Sequence, residues 1–137
     1  MKHFPSPVAL DDLYVTYLWA FDRDGKPEGI FSHATALYLQ ELITYVPPAL
    51  DVTVPKHFRR HSTPPHRLTL HRASVNPTDC QQLRGIPITN ALKSILDLLV
   101  SKSIDRDYIV DALRTAIERL QITHGQMLRY SFSAKER

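Results

Sequence analysis

Apolar residues recur with two different periods along the chain, and the switches between them predict the order of elements. Leu10, Leu13, Tyr14, Tyr17, Leu18 and Phe21 fall at the spacing that lines one side of a helix. Asp11 and Asp12 stand where a helix N-terminus favours negative charge, so a helix of about three turns is expected. The turn-rich run from Asp22 to Gly29 follows. Ile30-Phe31 then suits a short buried strand. Ser32 has the character of an N-cap for a helix from His33 to Ile43, which would bury Ala36, Leu37, Leu39 and Ile43 and end at Pro47-Pro48.

The period next changes to two. Val52-Thr53-Val54 and Arg67-Leu68-Thr69-Leu70-His71 alternate as half-buried strands do, with Val52, Val54, Leu68 and Leu70 inward and Thr53, Arg67, Thr69 and His71 outward. Leu83 to Thr89 predicts a further strand bent at Gly85, and Pro87, which has no N–H, places it at an edge or on a bulge. Thr89 or Asn90 can cap a helix with the stripe Leu92, Ile95, Leu96 and Leu99, and Leu96 is expected in the core. A second long helix after Ser103 carries Ile109, Leu113, Ala116, Ile117 and Leu120 on one face. Thr123 and Gln126 have capping-box spacing for a last short helix with Met127 and Tyr130. Residues 1–8 read as a tether and 133–137 as a flexible tail. The sum is a single α+β domain over 1–137. Its small mixed β-sheet, of about four strands near 29–32, 51–55, 67–72 and 83–88, would be flanked by about five α-helices.

Composition narrows the class. With 137 residues, 43% of them hydrophobic and 23% charged, the chain can build a core, which excludes wholesale disorder. Cys80 is the single cysteine, so no intrachain disulfide can form. No leader and no long apolar run is visible. A cytoplasmic protein without membrane contact is therefore expected.

Charge is unevenly spread. Seven acids face three bases up to Asp51, and nine bases face seven acids from Asp79 onward. Between them, the 27 residues from Val52 to Thr78 hold five Lys/Arg, four histidines and no acid. Pro55, Pro64 and Pro65 keep a long helix out of this stretch. Lys56, His57, Arg59, Arg60, His61, Arg67, His71 and Arg72 are the candidate binding residues, forming a basic face on the sheet. Such a patch is a footprint for phosphate backbones or acidic proteins. The plainer alternative is a solvated basic edge that keeps a strand from aggregating.

Catalytic and metal chemistry find little support. His57, His61, His66 and His71 lack the compact Cys/His spacing of zinc motifs. A restriction-nuclease-like frame after Asp51 would need an acid at position 54, where Val54 stands. Cys80 beside Asp79 has no activating cation in sequence. His33 opens a helix, where capping or packing suits it as well as a site. No catalytic residue, metal or cofactor is expected.

Five segments in order are similar to a known family: Ile30 to Leu39, Val52 to Pro55 followed by the basic loop, Leu68 to Arg72, Gly85 to Thr89, and Ile95 to Leu98. From about Gly29 to Leu99 the chain resembles the AbiEi family of antitoxins and transcriptional regulators of bacterial type IV toxin–antitoxin (abortive infection) systems. The resemblance implies a protein that neutralises a nucleotidyltransferase-type toxin and represses its own operon through DNA. It also marks Ser32, His33, Thr53, Lys56 to Arg60, His71 and Arg72 as surface or structural positions, with no catalytic role. Members usually begin with a winged helix-turn-helix, and before Ile30 there is room only for a tether and one helix. The chain is thus expected to correspond to the second, antitoxin-type domain. An autonomous nucleic-acid-binding module and a divalent-metal nuclease relative stay open as alternatives.

Overall fold

The computed structural model describes residues 10–44, 46–60 and 62–128. The expected tether and tail, Tyr130 and the candidate His61 lie outside them. Helix α1 (Leu10–Trp19) has Asp11 and Asp12 in its first turn. In the turn that follows, the Asp22 carboxylate accepts from the N–H groups of Asp24 and Lys26 at 2.9 and 2.8 Å. Strand β1 (Ile30–Phe31) runs through Ser32 into helix α2 (His33–Leu39), all of whose residues are buried. Strands β2 (Leu50–Val54), β3 (Leu68–Arg72), β4 (Cys80–Leu83) and β5 (Ile86–Thr89) complete a mixed sheet in the order β3-β2-β1-β5-β4. Helices α3 (Ala91–Ser101) and α4 (Arg106–Glu118) follow, then a helical segment at 124–128. The α+β class is as expected, and so is the last capping box: Thr123 N–H donates to Gln126 Oε1 (2.8 Å) and Gln126 N–H to Thr123 Oγ1 (3.1 Å).

The sheet has five strands where about four were expected, because Arg84 (φ 52°) and Gly85 (φ 82°) are both left-handed. Two such residues make the hairpin turn whose twist matches paired strands. The bend expected at Gly85 is therefore a reversal. Pro87 was expected at an edge or on a bulge, yet β5 lies between β1 and β4. Pairs alternate in hydrogen bonding along an antiparallel ladder. Leu83–Ile86 closes the turn, so Pro87 opposite Gln82 owes β4 no N–H. On the other side β1 is two residues long and aligns only Phe31 with Ile88.

Two apolar clusters form the core. Leu13, Trp19, Phe31, Leu50, Val52, Val54, Phe58, Ile86 and Ile88 fill the space between α1 and one sheet face. Leu37, Tyr38, Leu92, Ile95, Leu98, Ile109, Ala112 and Ala116 join α2, α3 and α4. Inward assignments change on three elements. Leu70 is 37% exposed, because β3 is the sheet edge and the α1 cluster reaches Leu68 but not beyond it. On α3 the buried stripe is Leu92, Ile95 and Leu98, with Leu96 half-buried and Leu99 46% exposed. Ser94 takes a core position there because its hydroxyl is bonded to Thr89 Oγ1 (2.6 Å) and donates to the Asn90 carbonyl (2.8 Å). On α4 the small residues Ala112 and Ala116 face α3, and Ile117 and Leu120 turn outward.

Helix α2 stops at Leu39, four residues before the expected Ile43. Glu41 adopts φ 60°, its N–H donates to the Tyr38 carbonyl (3.0 Å) and the Leu42 N–H to the Leu37 carbonyl (2.9 Å). That pair of bonds is a Schellman closure, made here without glycine. No helix among the described residues is long and apolar enough to cross a membrane.

Candidate functional site

Strands β2 and β3 run parallel, and parallel neighbours need a crossover of a dozen or more residues. Residues 55–67, the heart of the acid-free stretch, supply it. The crossover passes over the Val52/Val54 face, where Phe58 enters the core edge-on to Trp19 with ring centroids 5.8 Å apart. Trp19 Nε1 donates to the carbonyl and hydroxyl oxygens of Ser62, both at 3.2 Å. Arg60 Nε donates to the Trp19 carbonyl (2.8 Å), and Arg72 donates to the carbonyls of Phe58 and Lys56. A loop with few apolar residues is thus anchored at Lys56, Phe58, Arg60 and Ser62.

The candidate residues do not form the single face expected. Lys56, Arg59 and Arg67 are exposed and make no side-chain bond among the described residues. His57 faces Glu28 (3.5 Å) and His66 approaches Asp12 (3.9 Å). His57, Arg59 and Arg60 join Phe21, Asp22, Arg23, Glu28 and Ser62 around an open cleft of about 570 Å³. Both acids in that cleft are already engaged, Asp22 by backbone amides and Glu28 by His57. Arg72 and His71, neighbours on a strand, point to opposite faces. Arg72 joins the loop, and His71 joins a separate polar cluster.

That cluster is built on Asp51. Ser32 occupies the N-cap position of α2 but makes no side-chain cap bond. Its hydroxyl is instead bonded to Thr53 Oγ1 (2.7 Å) and His33 Nδ1 (2.8 Å). One free amide at the start of α2, that of Thr35, is met from the next strand. Asp51 Oδ2 accepts from the Thr35 N–H (3.3 Å) and hydroxyl (3.2 Å), while the Asp51 N–H donates to Thr35 Oγ1 (2.8 Å). Asp51 Oδ1 lies 3.0 Å from His71 Nε2. The His71 ring stacks on His33 with centroids 3.6 Å apart and planes at 11°. His33 has a left-handed backbone, φ 54°. Burial first, then the His71 charge, holds the His33 imidazole below its ordinary range, against the raising pull of Asp97 and Asp51.

Neither a family model nor a curated protein matches this chain. Among the described residues no group of three His, Cys, Asp or Glu is placed to hold a metal ion. The Asp51 carboxylate meets the Thr35 amide and hydroxyl and the His71 imidazole, and among the described residues no second carboxylate is bonded to it. Burial, then Asp79, pushes the Cys80 thiol up, away from the thiolate a nucleophile needs. The alternation of β2 and β3 could reveal that Asp51, Thr53 and His71 share a face. Nothing local in the sequence signals that His33 stacks there.

Proposed function

We propose that the chain is a non-catalytic antitoxin and transcriptional-regulator domain of the AbiEi type, acting in the bacterial cytoplasm against a nucleotidyltransferase-type toxin, and that loop 55–67 contacts DNA phosphates. Two things support the reading. The five segments that carry the resemblance form one contiguous unit: β1 with α2, β2, β3, β5 and the middle of α3. The observation that carries the binding part is Lys56 and Arg59, two exposed cations without a partner among the described residues, on a loop whose backbone is tied to Trp19 and Arg72. A loop ordered before binding loses less entropy on contact. The backbone that carries the cations therefore needs no further ordering to meet phosphate.

The test is Lys56→Ala/Arg59→Ala, assayed for duplex binding and for rescue of cells expressing the cognate toxin. Neither side chain makes a bond among the described residues, so the variant should retain wild-type stability. Weaker binding by a similar factor on unrelated duplexes is expected, as for phosphate contacts. Loss of binding with rescue intact would make DNA contact separable from toxin neutralisation and favour an autonomous nucleic-acid module. No change in either assay would leave the loop a solvated edge.

A further inference from the structure

We propose that the stacked His33–His71 pair, together with Asp51, is a proton-operated latch that fastens edge strand β3 to α2 at neutral pH and loosens when a second proton enters the pair. The first proton has a place. His71 Nε2 is 3.0 Å from Asp51 Oδ1, so an imidazolium there is compensated by the carboxylate. The second would sit on His33, 8% exposed, with its ring 3.6 Å from the first. Like charges at that separation, away from water, repel strongly.

The surrounding charges do not remove the conflict. From β3 the facing group is His71, from β2 Asp51, and from α3 Lys93 and Asp97. Lys93 and Asp97 pair with each other at 2.9 Å and offset one another. Ser32 and Thr53 add only hydroxyls. His33 is held below the ordinary histidine range, so an unfolded or opened chain binds the proton more readily than the closed one. The stabilising contribution is complete above about pH 6.5 and is lost as pH falls below it, with a slope of up to about tenfold in the opening equilibrium per pH unit.

Strand β3 is the part free to move. It is the sheet edge, bonded on one side only, to β2. Its other face carries Arg72, the tie to Phe58 and Lys56, and Ala73 N–H donates to the Val54 carbonyl at 3.0 Å. Loosening β3 therefore removes the Arg72 tie of the basic loop and leaves those to Trp19 in place. That consequence for binding rests on the phosphate-contact reading; the latch itself does not.

The experiment is amide hydrogen exchange on the whole chain, corrected for intrinsic rates, from about pH 7.5 to about pH 5, for wild type and His33→Asn. Asparagine tolerates the left-handed backbone and can keep a bond to Ser32, but does not titrate in this range. In wild type the opening equilibrium of β3 amides is expected to rise by up to about tenfold per unit below about pH 6.5 while α3 stays protected. In His33→Asn the rise below about pH 6.5 is expected to disappear, because the His71–Asp51 pair that remains is not loosened by a proton. Equal slopes in the two proteins, or β3 protection independent of pH in wild type, would overturn the latch. Should His33→Asn not fold, the ring resonances of wild type decide: His33 must take its proton below the ordinary histidine range, and protonation within or above that range overturns the proposal. Duplex binding measured alongside separates the two claims, because absent binding with the β3 slope intact counts only against the phosphate contact.

Discussion

Asp51 does for α2 what Ser32 was expected to do, and the exchange explains two buried hydroxyls. With the Thr35 amide met by a carboxylate from β2, Ser32 is free to join Thr53 and His33. Ser32→Ala should therefore cost more than a surface cap. Removing a fully buried hydroxyl leaves Thr53 and His33 short of a partner, and a loss of about 1–3 kcal/mol is expected in urea unfolding. An effect within about 0.5 kcal/mol, the range of a surface substitution, would contradict the buried network. Gly29 is a steric position of another kind. A Cβ there would lie 2.8 Å from Ala20 Cβ and 3.0 Å from Val52 Cγ1. Gly29→Ala is expected to destabilise by about 1–3 kcal/mol through overpacking, and an unchanged unfolding midpoint would show that α1 can shift away from β2 at little cost.

At the scale of elements, periodicity gave the helices their place and left their rotation to packing. Helix α3 starts where its cap was expected, with Asn90 Oδ1 accepting from the Lys93 N–H at 2.9 Å. Its buried stripe nevertheless runs through Leu98 instead of Leu99. An apolar run wider than one face fits two rotations, and the bonded Ser94 chooses between them. Leu98→Ala should then cost about 2–5 kcal/mol and Leu99→Ala under about 0.5 kcal/mol, and a reversed order in denaturant titrations would restore the expected stripe. The hairpin of β4 and β5 was illegible because Arg84, unlike Asn or Asp, carries no hint of a left-handed backbone. The helix ends at Glu41 and Leu120 were hidden for the same reason. At Leu120, φ is 59° and the side chain is 81% exposed, so Leu120→Gly removes backbone strain with almost no packing. It is expected to raise stability by a few tenths to about 1 kcal/mol, read as a higher thermal midpoint, and a lower midpoint would mean that the left-handed strain is not relieved.

Across the whole molecule the basic stretch is a crossover pinned over α1. Its charge could be read from composition alone, whereas its anchoring could not, because Trp19 lies far from Ser62 in sequence and an indole N–H gives no positional signal. The division of His71 from Arg72 follows from strand alternation once the parallel register of β2 and β3 is known. The direct measurement of the central claim is the dependence of duplex affinity on salt for wild type and Lys56→Ala/Arg59→Ala. Each phosphate-contacting cation adds about 0.9 to the magnitude of the slope of log affinity against log salt. The double variant is expected to bind more weakly at low salt, with a slope shallower by up to about 1.8. The same affinity and the same slope in both proteins would contradict a phosphate contact by this loop.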